Sequence, residues 1–178
     1  LTKTIHQVKS QNTIPCLLFP GSTFQINGDA DALLYLSVIS GRNPDLLIGK
    51  HVESAAMILQ SGLETISTGY MLIDGGTSTA VNYMTNTLPI PRDKNQIAVA
   101  TALAGSYLGL QMLYLEAGSG AKSPVTNDMI SAVSHAVNIP LIVGGGIKTP
   151  EQCQEKIEAG ADIIVVGNAI EKDPRLIT

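Results

Sequence analysis

Tryptophan is absent, phenylalanine occurs twice, and aromatic residues make up only 4% of a chain that is 44% hydrophobic. The core therefore has to be aliphatic, which suits buried parallel strands of Val, Ile and Leu under Ala-rich helices. Positive charge is also scarce. Eleven Lys and Arg against 15 Asp and Glu give a net charge of −4, which speaks against nucleic acid as a partner. No apolar run approaches the ~20 residues that span a bilayer, so no transmembrane segment is expected, and no signal peptide is visible. The two cysteines, Cys16 and Cys153, lack CxxC spacing and a nearby His cluster. They read as reduced, buried thiols of a cytoplasmic protein. At 178 residues, the chain fits one domain with a sizeable core.

What the sequence does have is glycine after apolar runs. Gln111–Gly120 (QMLYLEAGSG) ends a strand-like run in a carboxylate and breaks at once into a glycine-rich loop. The same punctuation returns at Leu141–Ile147 (LIVGGGI) and Ile163–Asn168 (IIVVGN). Three successive strands that each end in glycine set backbone N–H groups side by side, where a phosphate can sit.

Leu1–Ser10 reads as the end of a helix and Ile14–Phe19 as the first strand. The next apolar run, Ala32–Leu36, follows too soon for a helical crossover, so an irregular loop is expected between them. Asn43-Pro44 opens a helix that Gly62 stops, and a strand runs from Leu63 to Tyr70. Regular alternation fails from Met71 to Arg92, where Asp74-Gly75-Gly76 is a tight turn and Pro89 and Pro91 forbid a helix. Ile97–Leu108 is helical. Strand Gln111–Leu115, helix Asn127–Val137, strand Ile139–Val143, a helix capped by Thr149 and Gln152, and strand Asp162–Val166 follow, with a last helix beginning at Glu171. Strand–loop–helix units of this kind indicate a right-handed βα series. The expectation is one α/β domain over 1–178, a TIM (β/α)8-like barrel with its phosphate site on the last three βα loops. Six strands are legible and a closed barrel needs eight, so two units would be absent at the N-terminus. A doubly wound open sheet is the competing architecture.

Active sites of such barrels lie at the C-terminal strand ends. Tyr114 and Glu116 are two apart and share a face pointing into the mouth, while Leu115 packs outward. A carboxylate there is costly to bury unless it binds or reacts, and Glu116 is the candidate general base; the alternative is a structural hydrogen bond to loop amides. Gly118, Gly120, Gly145, Gly146, Gly167 and Asn168, with the Ser119 hydroxyl, are the candidate phosphate donors. Arg92 and Lys94 are candidates for a second, larger anionic group, or else a solvated charged loop. His51, alone on a helix, reads as structural, and Asp74 has no partner carboxylate for a metal.

YLEAGSGA, IVGGGIKTPEQ, ADIIVVGNAIEKDP, TGYMLIDGG and ISGRNPDLLIGKHV together resemble the geranylgeranylglyceryl phosphate synthases, in the branch found in some archaea and in bacteria of the Bacteroidetes kind. The resemblance covers the whole chain. It implies a prenyltransferase on a TIM-like barrel that joins sn-glycerol 1-phosphate to geranylgeranyl diphosphate through an ether bond, releasing diphosphate. It implies that Tyr114, Leu115, Glu116, Ala117, Gly118, Ser119 and Gly120 contact the glycerol phosphate, that Gly145, Gly146, Gly167 and Asn168 hold its phosphate, and that Glu116 deprotonates the hydroxyl. It further implies Mg²⁺, bound with the donor diphosphate by segments of the family that would precede Leu1, and a homo-oligomer. A phosphosugar isomerase or synthase on the same barrel, or a non-catalytic phosphate-binding assembly barrel, are the alternatives.

Overall fold

In a computed structural model, residues 1–78 and 80–177 are described. Six parallel strands pair strictly in chain order: β1 (Leu17–Leu18), β2 (Ala32–Val38), β3 (Glu64–Leu72), β4 (Met112–Glu116), β5 (Leu141–Gly144) and β6 (Ile163–Val165). Doubly wound sheets reverse their strand order at a switch point. This sheet has no reversal, so that alternative falls. The sheet curls: Phe19, just past β1, brings its ring centroid 5.5 Å from that of Tyr114 on β4, whereas three strand spacings in a flat sheet amount to roughly 14 Å. Among the described residues six strands are present rather than the eight of a closed barrel, and β1 and β6 are edges.

The helices are α1 (Thr2–Gln11), α2 (Lys50–Ser61), α3 (Ala80–Thr85), α4 (Asn95–Tyr107), α5 (Asn127–Ala136), α6 (Pro150–Glu158) and α7 (Asn168–Lys172). Their stops and starts follow local chemistry. Asn43 accepts from the Asp45 N–H, and a π-helical turn over Asp45–Gly49 leads into α2. Gly62 ends α2 in the left-handed region, where glycine carries no Cβ penalty. Thr149 caps α6 by accepting from Gln152 N–H, but the Gln152 side chain accepts from Lys148 rather than from Thr149, a variation on the capping box. Period-two alternation divides each strand between two environments. Met71, Leu113, Leu115, Leu141 and Val143 pack outward with Ala98, Ala102, Met129, Ile130 and Val133 from α4 and α5. Leu34, Val38, Tyr70, Leu72, Tyr114 and Ile142 form the inner cluster.

Four sequence expectations need correcting. The first strand is two residues long, because Pro15 lacks an N–H and Cys16 gives its own N–H to the Asp31 carboxylate. Its onward connection is irregular as expected, with one 3₁₀ turn at Thr23–Gln25. The segment 71–92 is not irregular throughout: β3 runs on to Leu72, Ile73 bridges to Ile90, and α3 forms between them. The last helix begins at Asn168 and ends before Pro174, which opens a 3₁₀ turn over Pro174–Ile177; Thr178 lies outside the described residues. Finally, Cys16 and Cys153 are free but half-buried rather than buried.

Candidate active site

The C-terminal ends of β3 to β6 lie in register. Leu72, Glu116, Gly144 and Val165 form one row, and Tyr70, Tyr114, Ile142 and Ile163 the row beneath it. Glu116 is only 7% exposed and is the one buried carboxylate among the described residues. Its Oε1 accepts the Gly118 N–H at 2.6 Å, and the Tyr114 hydroxyl donates to the same carboxylate. Burial pushes the Glu116 pKa up, against the pull of those two hydrogen bonds. Burial and the adjacent carboxylate push Tyr114 and Tyr70 up as well, so both phenols stay protonated and able to donate.

Two glycines make this arrangement possible. A Cβ on Gly144 would fall 2.5 Å from the Tyr114 hydroxyl and 3.0 Å from Glu116 Oε2. One on Gly145 would fall 2.5 Å from Glu116 Oε1 and 2.7 Å from the Gly118 nitrogen, and Gly145 also has φ +84°, where L-residues are strained. The three glycine loops meet. Gly145 lies against Ala117 and Gly118, and the Ser119 hydroxyl donates to Asn168 Oδ1 at 2.9 Å, joining the loop after β4 to the start of α7. Gly118, Gly145 and Gly146 all have positive φ, as does Gly120, while Gly167 does not.

The expected site residues thus come together, with distinctions that sequence did not reveal. The N–H of Gly118 is taken by Glu116 and that of Ala117 by the Gly144 carbonyl, so neither is free for an anion. Ser119, Gly120, Gly167 and Asn168 are exposed, and Gly145 and Gly146 half-buried. The side chains of Leu115 and Ala117 belong to the outer core and present only backbone to the mouth. Lys94 pairs with its neighbour Asp93 at 2.8 Å. Arg92 is near enough to Lys156 for its charge to act there: burial lowers the Lys156 pKa, and Arg92 adds to that against Glu155. His51 sits on the outer face between Tyr35 and Ser37, its Nε2 3.1 Å from the Ser37 hydroxyl, with burial lowering its pKa. It stands apart from the mouth.

Three residues escaped the sequence reading. Tyr70 lies beside Tyr114, ring centroids 5.4 Å apart, and Phe19 covers both. Three of the chain's seven aromatic residues meet at this mouth. The signal for Tyr70 was available, since it stands two residues before the end of its strand, as Tyr114 does. Gly75 is the third: its carbonyl accepts from Lys122 and Ser123 N–H, and it packs so closely on Ala117 and Ala121 that a Cβ would collide. The Asp74-Gly75-Gly76 turn therefore buttresses the loop after β4.

Comparison with known proteins agrees with this geometry. A geranylgeranylglyceryl phosphate synthase of Chitinophaga pinensis is 58% identical over 177 residues, 99% of this chain and 70% of the relative. The enzyme of that name from Thermococcus kodakarensis is 44% identical over 172 residues, covering 97% of this chain and 68% of its own. Among solved structures, (S)-3-O-geranylgeranylglyceryl phosphate synthase from Thermoplasma acidophilum, in complex with substrate sn-glycerol-1-phosphate, superposes with a TM-score of 0.91 at 33% identity, over 98% of this chain and 70% of that one. Residues 1–178 match the PcrB family model. The chain belongs to the PcrB family.

Proposed function

We propose that this protein is a geranylgeranylglyceryl phosphate synthase, a prenyltransferase of ether-lipid biosynthesis acting on sn-glycerol 1-phosphate and geranylgeranyl diphosphate. The observation that carries the chemistry is the buried Glu116 carboxylate, held by Tyr114 and Gly118 where three glycine loops meet. The donors of the exposed Ser119, Gly120, Gly167 and Asn168 and of the half-buried Gly145 and Gly146 bind the phosphate of the acceptor. Its free primary hydroxyl then faces Glu116. The hydroxyl oxygen forms a bond to C1 of the prenyl donor, the bond from C1 to diphosphate breaks, and the hydroxyl proton passes to Glu116. A carboxylate whose pKa is raised by burial is a better base than a solvated one. An isomerase or synthase of phosphosugars would need a second acid or base across the mouth, and the side chains facing Glu116 are the phenols of Tyr70 and Tyr114.

A requirement for Mg²⁺ belongs to the proposal. Among the described residues there is no group of three or more His, Cys, Asp or Glu able to hold an ion, so these side chains are not assigned to it. The proposal also closes the curled sheet into an eight-stranded barrel, which the exposed apolar residues Leu17, Ile163 and Val165 on its edge strands support. A homo-oligomer is supported by the exposed Val52 and Leu59 of α2 and Tyr107 of α4. Among the described residues no helix is long and apolar enough to cross a membrane, and a cytoplasmic location is part of the same reading. The test is incubation with both substrates, with product identified by mass spectrometry. The ether product should form and should disappear with EDTA; no product from folded protein with Mg²⁺ would overturn the assignment.

A further inference from the structure

Tyr70 has a hydroxyl to which the proposed chemistry gives no task. Its ring is held on the inner face of the sheet, with its centroid 5.4 Å from that of Tyr114 in an edge contact and 6.1 Å from that of Phe19. Val38 and Leu72 belong to the same cluster. The residue is only 5% exposed, yet its hydroxyl makes no hydrogen bond with any described residue. A buried phenol ordinarily finds a partner for its O–H, and leaving a buried donor unmet costs stability. Phenylalanine would fill the same space without that cost, so the partner of this hydroxyl arrives with the substrates. Burial, with the Glu116 carboxylate beside it, raises the Tyr70 pKa. The phenol is therefore a neutral donor and not a second base.

Which substrate oxygen it meets follows from the order of the strands. The proposed phosphate donors follow β4, β5 and β6, and the base Glu116 ends β4. Tyr70 lies on β3, one strand further from the phosphate, paired in register with Tyr114. Because Tyr114 holds the Glu116 carboxylate, the base and the free phenol stand about one strand spacing apart, roughly 4.7–4.9 Å. Displacement at C1 of the donor has a similar dimension. The entering oxygen stands about 3–3.5 Å from the carbon in a reactive pose, and the leaving oxygen is bonded to the far side. The acceptor's own backbone fills the β5 and β6 side, so C1 and its leaving group lie toward β3. The leaving oxygen gains negative charge as its bond to C1 breaks, and a preorganised donor aimed at developing charge lowers the barrier. We infer that the Tyr70 hydroxyl donates a hydrogen bond to the bridging oxygen of the departing diphosphate, as a second catalytic residue beside Glu116. The electron pair of the broken bond goes to that oxygen, the attacking oxygen supplies the new pair, and the phenol keeps its proton. This rests on the prenyl-transfer reading.

The test is single-turnover ether formation by Tyr70→Phe under saturating sn-glycerol 1-phosphate and geranylgeranyl diphosphate, beside calorimetric binding of the acceptor alone. Phenylalanine keeps the ring contacts with Phe19 and Tyr114 and deletes only the donor. Removing a donor of this kind costs about 10²–10³ in rate, and Tyr70→Phe should lose at least about tenfold. Acceptor affinity should stay within about twofold of the parent, since the lost bond forms only as the donor reacts. A ring-fluorinated tyrosine at position 70 is a stronger donor of nearly the same shape. It should turn over faster than the parent, which a packing role alone would not produce. Parent-like turnover by Tyr70→Phe overturns the inference. So does a loss of acceptor affinity that accounts for the whole effect, because the hydroxyl would then face glycerol phosphate. If Tyr70→Phe fails to fold, the fluorinated protein decides, and a rate no greater than the parent's overturns the inference. A folded parent that forms no ether at all would instead sink the prenyl-transfer reading, and this inference with it.

Discussion

Tyr114 and Leu115 are neighbours on one strand, equally buried, and belong to different kinds of structure. Leu115 is packed among aliphatic residues of α4 and α5, where what matters is volume. Tyr114 faces Phe19, Tyr70 and Glu116, where what matters is which atom donates a proton to which. The outer face is built to be filled and the inner face to hold a charge that would otherwise be unaffordable. A substitution on one should therefore fail differently from a substitution on the other.

The largest effect on stability should come from the outer face. Leu115→Ala removes a fully buried side chain and should cost about 2–5 kcal/mol, read by denaturant unfolding, with kcat little changed in the fraction that remains folded. Gly145→Ala places a Cβ into Glu116 and the Gly118 amide at positive φ. It should cost about 1–3 kcal/mol of strain, read as a loss of glycerol phosphate affinity and turnover exceeding any loss of stability. Unchanged affinity would remove Gly145 from the site.

Tyr114→Phe sharpens the contrast, since it keeps the ring and deletes only the donor. The lost hydrogen bond normally holds the Glu116 pKa down. The acid limb of the kcat profile should therefore move to higher pH, with roughly tenfold lower kcat/KM near neutrality; an unmoved limb would separate the phenol from the carboxylate. The subtlest effect is on stability. Because the Glu116 pKa is raised above its ordinary 4.5, the folded protein keeps a proton that the unfolded chain has released. Wild-type stability therefore falls as pH rises from 4.5 to the raised value. Glu116→Gln should unfold at higher denaturant than wild type at neutral pH, with the gap narrowing as pH falls below 4.5.

The division between the faces was legible because β4 alternates cleanly and ends in a carboxylate beside glycine. The same period placed Tyr70, but without a carboxylate after it nothing marked that strand end as part of the mouth. The insert was harder. Two prolines spoil its helical pattern, yet both lie beyond α3, whose six residues are too few for periodicity to show and which is held by tertiary contacts: Asn43 donates to the Thr85 carbonyl, and Val81 of the helix packs on the inner cluster. Occupancy of the loop amides was invisible for another reason. A string of glycines promises N–H groups, but only in the folded chain does Glu116 claim the one on Gly118.

The role of Glu116 as general base is tested most directly by Glu116→Gln assayed twice, by calorimetric binding of sn-glycerol 1-phosphate and by the rate of ether formation under saturating donor. Loss of a general base costs about 10²–10⁴ in rate. The amide keeps the size of the carboxylate and can still accept from Gly118. Affinity should stay within about tenfold of wild type while turnover falls by at least about a hundredfold. Full turnover would show that Glu116 only anchors its loop, and the chemistry assigned to it would be wrong.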